Sequence, residues 1–302
     1  MQQIASTLKA PEVEESLDIV FYRPCGYWIA SLAARLHLTP NQITALGAAI
    51  GIAAGHFFYY RSAGINLIGI CLLIISEMMD SADGQLARMT NQFSEYGRFL
   101  DGFGDNLKFV SIYVHFALRL GPEIGFVSAF VIAACAGASH SFQSAAADYY
   151  RTAFTGFALG GSRKVLKNSR ELAERHAALS WKKQPIEKLF VRIYLNYTHQ
   201  QEMMTASFQK LNSAAAVLWD GTIPDSFAGE YYRRNRPLIK YYNILTTNTR
   251  VFVLMAAALA DAVLVYFAFD IIVLNLLLAS VLLRQSAINR ILRTKILDGA
   301  YT

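Results

Sequence analysis

The chain has 302 residues, 54% of them hydrophobic and 17% charged, with a mean hydropathy of +0.29 and a net charge of +6. That is too apolar for an ordinary soluble protein and too polar for a bare membrane bundle, so membrane spans joined to a polar segment are expected. The basic excess suits a cytoplasmic face beside anionic lipid and not a nucleic-acid partner; Cys25, Cys71 and Cys135 are too scattered for a disulfide framework or a zinc site, and the N-terminal stretch MQQIASTLKAPEVEES has no signal-peptide core.

Taken in order, Leu17 to Leu38 mixes apolar residues with Arg23, Arg35 and His37, and Pro24 and Gly26 break its first part. Beyond them Trp28, Ile29, Leu32 and Leu36 form one apolar face at helical spacing, which predicts an amphipathic helix lying in the membrane interface. A soluble core helix is the alternative. Thr39 and Pro40 read as the N-cap and first position of a span over Gln42 to Tyr60, about 28 Å long. Its Gly47, Gly51 and Gly55 make a stripe that lets a neighbouring helix approach closely. Further spans are expected near Ile65–Ala87, Phe93–Leu120 and Glu123–Tyr150. The segment 151–250 then carries sixteen Lys/Arg against seven Asp/Glu and reads as polar helices, before apolar runs resume at Val251–Phe269 and Ile271–Ile291.

The expected fold is therefore all-α and membrane-integral. It has six transmembrane helices, an N-terminal interfacial amphipathic helix and a helical cytoplasmic insert. The segments are 1–38, 39–150 with spans one to four, 151–250, and 251–302 with spans five and six. Basic residues crowd one set of connections, so the positive-inside rule puts the acidic site of the Asp80–Asp105 stretch, the insert and both termini in the cytoplasm.

The stretch DSADGQLARMTNQFSEYGRFLDGFGD, Asp80 to Asp105, carries the chemistry. Asp80 and Asp83 are spaced i,i+3, and Asp101 and Asp105 i,i+4, so each pair shares a helix face. Four acids beside apolar runs cost on the order of 5–7 kcal/mol even at half depth. Divalent cations such as Mg²⁺ or Mn²⁺ offset that cost, and two ions held together form a clamp for phosphoryl transfer. Solvated loop acids between two helices are the bland alternative. Glu77, one turn before Asp80, leaves two readings open: a partner of the acidic site, or a lone buried acid that stays protonated.

The string D-x-x-D-G-x-x-A-R, eight residues, then G-x-x-x-D-x-x-x-D resembles the signature of the CDP-alcohol phosphotransferase (CDP-alcohol phosphatidyltransferase) family without departure, at Asp80, Asp83, Gly84, Ala87, Arg88, Gly97, Asp101 and Asp105. The resemblance covers the residues outside the insert. It implies six spans, often as a homodimer, and transfer of a phosphatidyl or related group from a CDP-linked donor to a hydroxyl with release of CMP. By that resemblance Asp80, Asp83, Asp101 and Asp105 hold two metal ions, and Asp105 also acts as general base. On the donor side the resemblance places Asn41, Thr44, Gly84, Ala87, Arg88, Ser94 and Gly97. Asn41 and Thr44 touch the cytidine diphosphate, Gly84 leaves room for the nucleotide, Arg88 pairs with a donor phosphate, and Ser94 is a further donor contact.

For the acceptor, Arg151, Arg250 and Arg284 stand out; Arg284 counts inward to about the depth of Asp105, and a buried arginine asks for an anion. That suggests a polyol phosphate such as inositol phosphate or glycerol phosphate, with CDP-diacylglycerol as donor. Topogenic arginines are the competing account. Two other functions compete: a CDP-choline or CDP-ethanolamine type enzyme acting on diacylglycerol, and a divalent-metal transporter. Transporter sites lie near the bilayer midplane on interrupted helices, whereas these acids fall near one interface.

Overall fold

The computed structural model describes residues 12–93, 95–160, 168–219 and 222–301, and among these every regular element is helical. A π-helical turn, Asp18–Tyr22, runs into α1, Arg23–Arg35. Then come α2, Pro40–Phe57; α3, Ala63–Thr90; α4, Glu95–Ile124; and α5, Phe126–Ala158. Four helices follow: α6, Ser169–Ala178; α7, Pro185–Met204; α8, Ala206–Leu218; and α9, Asp225–Ile244. The chain closes with α10, Thr247–Leu259; α11, Val263–Ala268; a π-helical turn, Phe269–Val273; and α12, Leu274–Leu297. Among the described residues three helices are long and apolar enough to cross a membrane: Ala63–Thr90, Phe126–Ala158 and Val263–Leu297. The residues form two compact units, 1–140 with 248–271, and 141–247 with 272–302. These boundaries differ from the expected segments, because the apolar faces of the polar segment pack onto parts of α5 and α12.

In the first unit the start of α2 is fixed by a reciprocal cap: the Thr39 hydroxyl accepts from the Gln42 amide at 3.4 Å, and the Gln42 side chain accepts from the Thr39 amide at 2.8 Å. The glycine stripe then wedges α2 between α3 and α4. A Cβ on Gly51 would lie 2.6 Å from Ser76 Oγ and 2.8 Å from Lys108 Cδ, so only glycine permits this approach. Phe58, Leu73, Ile112, Phe116, Leu254 and Phe267 form the apolar core beneath.

Two expectations are corrected here. Pro24 does not break the N-terminal helix: it lies just past the π-helical turn, Asp18–Tyr22, which runs without interruption into α1. The fifth apolar run does not continue to Phe269 but stops at Leu259, with Asp261 in the left-handed region at φ 53°. Aspartate tolerates that conformation, and ion pairing rewards it. Buried Arg119 donates to Asp261 Oδ1 at 2.7 and 3.0 Å and to the carbonyls of Phe58 and Ala258; Arg61 donates to Asp261 Oδ2 at 3.1 Å and also pairs with Glu123. This network ties together the ends of α2, α4 and α10. Val263 then starts a new helix that carries the last apolar run.

The second unit has an aromatic core, in which Tyr150 stacks on Tyr242 at 5.1 Å and Phe157 packs against Phe208 and Phe227. A buried amide relay crosses it: Gln285 donates to Asn235 at 2.6 Å and to Asn289 at 3.0 Å, and Asn289 donates to Ser207 at 3.1 Å. Glu230 fastens the C-terminus, accepting from Lys295 at 2.9 Å, Tyr301 at 2.7 Å and Arg234 at 2.7 Å. Burial alone would raise the Glu230 carboxyl, but the bonds from Lys295, Tyr301 and Arg234 outweigh it and hold it down at about 2, against an ordinary 4.5. A depressed carboxyl stabilises the fold above its unfolded pKa and loses that contribution as pH falls through its folded one. The stability gap between the parent chain and Glu230→Gln is thus expected to be full above about pH 4.5 and to close toward pH 2, read by limited proteolysis of the C-terminal residues across that range.

Candidate functional site

The site forms where the C-terminal part of α3 and the N-terminal part of α4 meet beneath α2. Helical phase puts Asp80 and Asp83 on the α3 face toward α4, and Asp101 and Asp105 on the answering face. One carboxylate oxygen each from Asp80, Asp101 and Asp105 lies within 4.8 Å of the others, a spacing that one hard cation bridges. Asp83 is turned to α2, where its Oδ2 is 2.5 Å from the Thr44 hydroxyl, which also approaches the Pro40 carbonyl at 3.0 Å. All four aspartates and Thr44 line one cavity, together with Gly47, Ala48, Ser76, Gly104 and Lys108.

Lys108 is a cation of the acidic stretch to which the sequence alone assigns no partner. Its ammonium is buried and donates to Glu77 Oε1 at 2.5 Å and to Asp105 Oδ1 at 2.8 Å. That decides between the two readings of Glu77: it is a partner of the site, linked through Lys108 to Asp105. The signal was in the sequence, since Asp105 and Lys108 are spaced i,i+3, but the second partner comes from another helix and spacing alone does not find it. Glu77 balances most of Lys108, so the four aspartates keep a net negative field that a cation relieves.

Asn41, Gly84, Ala87, Arg88 and Gly97 lie outside that cavity lining, and Ser94 lies outside the described residues. Gly84 is open: a Cβ there would meet nothing nearer than the Arg88 guanidinium at 3.5 Å, so packing within the chain does not require glycine at this position. Arg88 has Nε and Nη2 buried without a hydrogen-bond partner. Buried guanidinium donors left unpaired are costly, and an anion would satisfy them.

The three arginines are not alike. Arg250, in the first unit, is buried and donates to Asp270 Oδ1 at 3.1 Å, while Tyr113 donates to Asp270 Oδ2 at 3.0 Å. Its need for an anion is met inside the chain. Arg151 and Arg284 belong to the second unit. Arg284 is not the buried arginine expected: α12 turns Val281, Gln285, Asn289 and Leu292 inward and leaves Arg284 exposed.

Comparison with known proteins agrees with the site. Residues 37–155 match the family model described as CDP-alcohol phosphatidyltransferase, and the matched stretch contains all four aspartates. An archaetidylinositol phosphate synthase of Pyrococcus horikoshii is 36% identical over 108 residues, covering 36% of this chain and 51% of that protein. An uncharacterized protein of Aquifex aeolicus is 35% identical over 108 residues, 34% of this chain and 53% of its own length. A putative cardiolipin synthase of Mycobacterium tuberculosis is 32% identical over 84 residues, 28% of this chain and 39% of that protein. The chain thus spans about half the length, or less, of these curated relatives.

Removing Lys108 tests the relay. Lys108→Met leaves Glu77 buried and unpaired, which is expected to cost about 3–5 kcal/mol of stability. Adding Glu77→Gln should recover much of that loss, measured as the thermal unfolding midpoint of the purified protein in detergent.

Proposed function

We propose that this protein is a membrane transferase that moves a phosphatidyl or related substituted phosphoryl group from CDP-diacylglycerol to a small polar alcohol, releasing CMP. The observation that carries the reading is the approach of Asp80, Asp101 and Asp105 to within 4.8 Å inside the family-matched stretch. The donor set is all carboxylate, which suits Mg²⁺ or Mn²⁺ and not a softer metal. Asp80, Asp101 and Asp105 would hold such an ion, with Asp83 completing a second site beside Thr44. The metal, when bound, supplies charge neutralisation of the pyrophosphate and of the departing CMP.

The chain's own residues do the rest. Lys108 fixes one oxygen of Asp105 at 2.8 Å and so sets the orientation of that carboxylate, which takes the proton from the attacking hydroxyl. Thr44 holds Asp83 in place. Gly84 leaves the helix surface free for the nucleotide and Arg88 offers its unpaired donors to a donor phosphate; Asn41, Ala87, Ser94 and Gly97 are assigned to the donor by the family resemblance.

The acceptor in this proposal is a polyol phosphate such as inositol phosphate or glycerol phosphate. The name of the Pyrococcus relative, an archaetidylinositol phosphate synthase, supports it. Arg250 is already engaged by Asp270, and Arg284, exposed on α12, is the arginine that the acceptor test below removes. The topology proposed is six crossings with the carboxylate site, the polar segment and both termini in the cytoplasm, in a homodimer. Support for an interfacial α1 comes from its two faces: Val20, Trp28, Leu32 and Leu36 are exposed, while Gly26, Ala30 and Ala33 are buried.

The test uses purified protein, labelled CDP-diacylglycerol and a panel of acceptors, with lipid products identified by mass. CMP release should require added Mg²⁺ or Mn²⁺, and Asp105→Asn should lower it by about 10²–10⁴-fold. Turnover undiminished by a chelator sinks the metal role, and a product made only from CDP-choline and diacylglycerol reverses the donor assignment. If free inositol or serine works as well as the phosphate-bearing acceptors, and Arg284→Ala leaves acceptor KM unchanged, the acceptor proposal is wrong.

A further inference from the structure

The surface of α7 asks for a partner. Within the second unit this helix buries Phe190, Val191, Thr198 and Gln201. Ile186, Leu189 and Ile193 stay exposed, at 73%, 51% and 37%, and at helical spacing they form one strip. Trp181, in the turn before the helix, is 54% exposed, with the Lys188 ammonium 5.6 Å from its ring centre.

The charges around that strip have one sign. Lys182 and Lys183 are exposed just ahead of the helix, and Arg192 is exposed beside Ile193. The acids of α7 are both engaged elsewhere: Glu187 pairs with Arg175 at 3.0 Å, and Glu202 accepts from the Ser169 amide at 2.8 Å and its hydroxyl at 2.5 Å. An apolar strip with a tryptophan beside it and an uncompensated basic border is the composition of a helix lying in an anionic lipid interface.

The C-terminal end of α7 is fastened to α5 near the level of a membrane boundary. Helix α5 is 33 residues, about 50 Å, and so outruns a hydrocarbon core of about 30 Å. Counted from Phe126, it leaves such a core near Ala145. There Gln201 donates to the Ala145 carbonyl at 3.4 Å and to Asp148 at 3.0 Å, and Ser141 donates to Gln200 at 3.2 Å.

We infer that the exposed face of α7 and the turn before it dock on the anionic headgroups of the same membrane that α5 spans. The occupant is a bilayer surface, because the border is wholly basic, whereas a second copy would bring the same positive charge against it. The inference rests on the membrane reading of the chain and is independent of its catalysis.

Hydrogen–deuterium exchange of the full chain in lipid nanodiscs tests it. Amides over 181–193 should exchange roughly tenfold more slowly in discs rich in phosphatidylglycerol than in discs of phosphatidylcholine alone, since each basic residue near an anionic surface contributes to the attraction. High salt should erase the difference. So should the triple variant Lys182→Glu, Lys183→Glu, Arg192→Glu, and separately Leu189→Ser with Ile193→Ser, which keeps the charges; unchanged exchange in α9 and α12 verifies the fold of each. Equal exchange in the two lipids overturns the inference, as does protection that survives charge reversal. Protection that appears only when two copies share a disc assigns the face to a second chain and overturns it as well. Should a variant fail the fold control, the lipid and salt comparisons on the parent chain decide.

Discussion

A buried ammonium between two carboxylates governs this molecule. Lys108 reaches back from α4 to Glu77 on α3, where both charges are buried, and sideways to Asp105 on its own helix, whose carboxylate stays partly exposed. Like charges about 4 Å apart repel by about 4 kcal/mol at an effective dielectric near 20. Four aspartates crowded beside Glu77 would force α3 and α4 apart without positive charge placed among them. Lys108 supplies one unit and does so without entering the spacing between Asp80, Asp101 and Asp105. The acidic cluster is thereby held together but left short of neutral, which is the condition a cation-binding site needs. The close approach of α2 depends on the same arrangement, because the Lys108 stem lies where any side chain at position 51 would have to go.

The sequence discloses a good part of this and hides a definable remainder. Spacing of i,i+3 and i,i+4 is enough to place each aspartate pair on one helix face, and the order threonine, proline, asparagine, glutamine is enough to start α2. Both are local properties, and helical phase carries them. The partner of Lys108 is not local: Glu77 is 31 residues away, and only the packing of α3 and α4 against α2 brings it near. The end of α10 is hidden for a different reason. Val251 to Phe269 is apolar throughout except for Asp261, and hydropathy reads straight through it; the break comes from two arginines on distant segments that reward a left-handed aspartate. Arg284 misleads in the opposite way. Depth counted along a helix says nothing about the side on which a residue faces, and the relay through Gln285 and Asn289 turns it outward.

The polar segment is more than a tether between spans. Its aromatic faces build the core of the second unit with the C-terminal part of α5 and most of α12, so helices long and apolar enough to cross a membrane also serve as its framework. Its remaining surface divides between ion pairs such as Arg170 with Glu174 and the basic, apolar side of α7.

The clamp of Arg61 and Arg119 on Asp261 gives the first unit a fixed end. It pins α2, α4 and the turn after α10 where they are farthest from the acidic cluster, leaving the cluster at the free tips. Helices joined in that manner behave like the arms of tweezers: a small tilt at the pinned end becomes a larger displacement at the tips, in proportion to the length between them. Whatever spreads or closes the acidic cluster therefore requires little rearrangement in the core, and a change to Asp261 would loosen the grip of tips some distance away that it never touches.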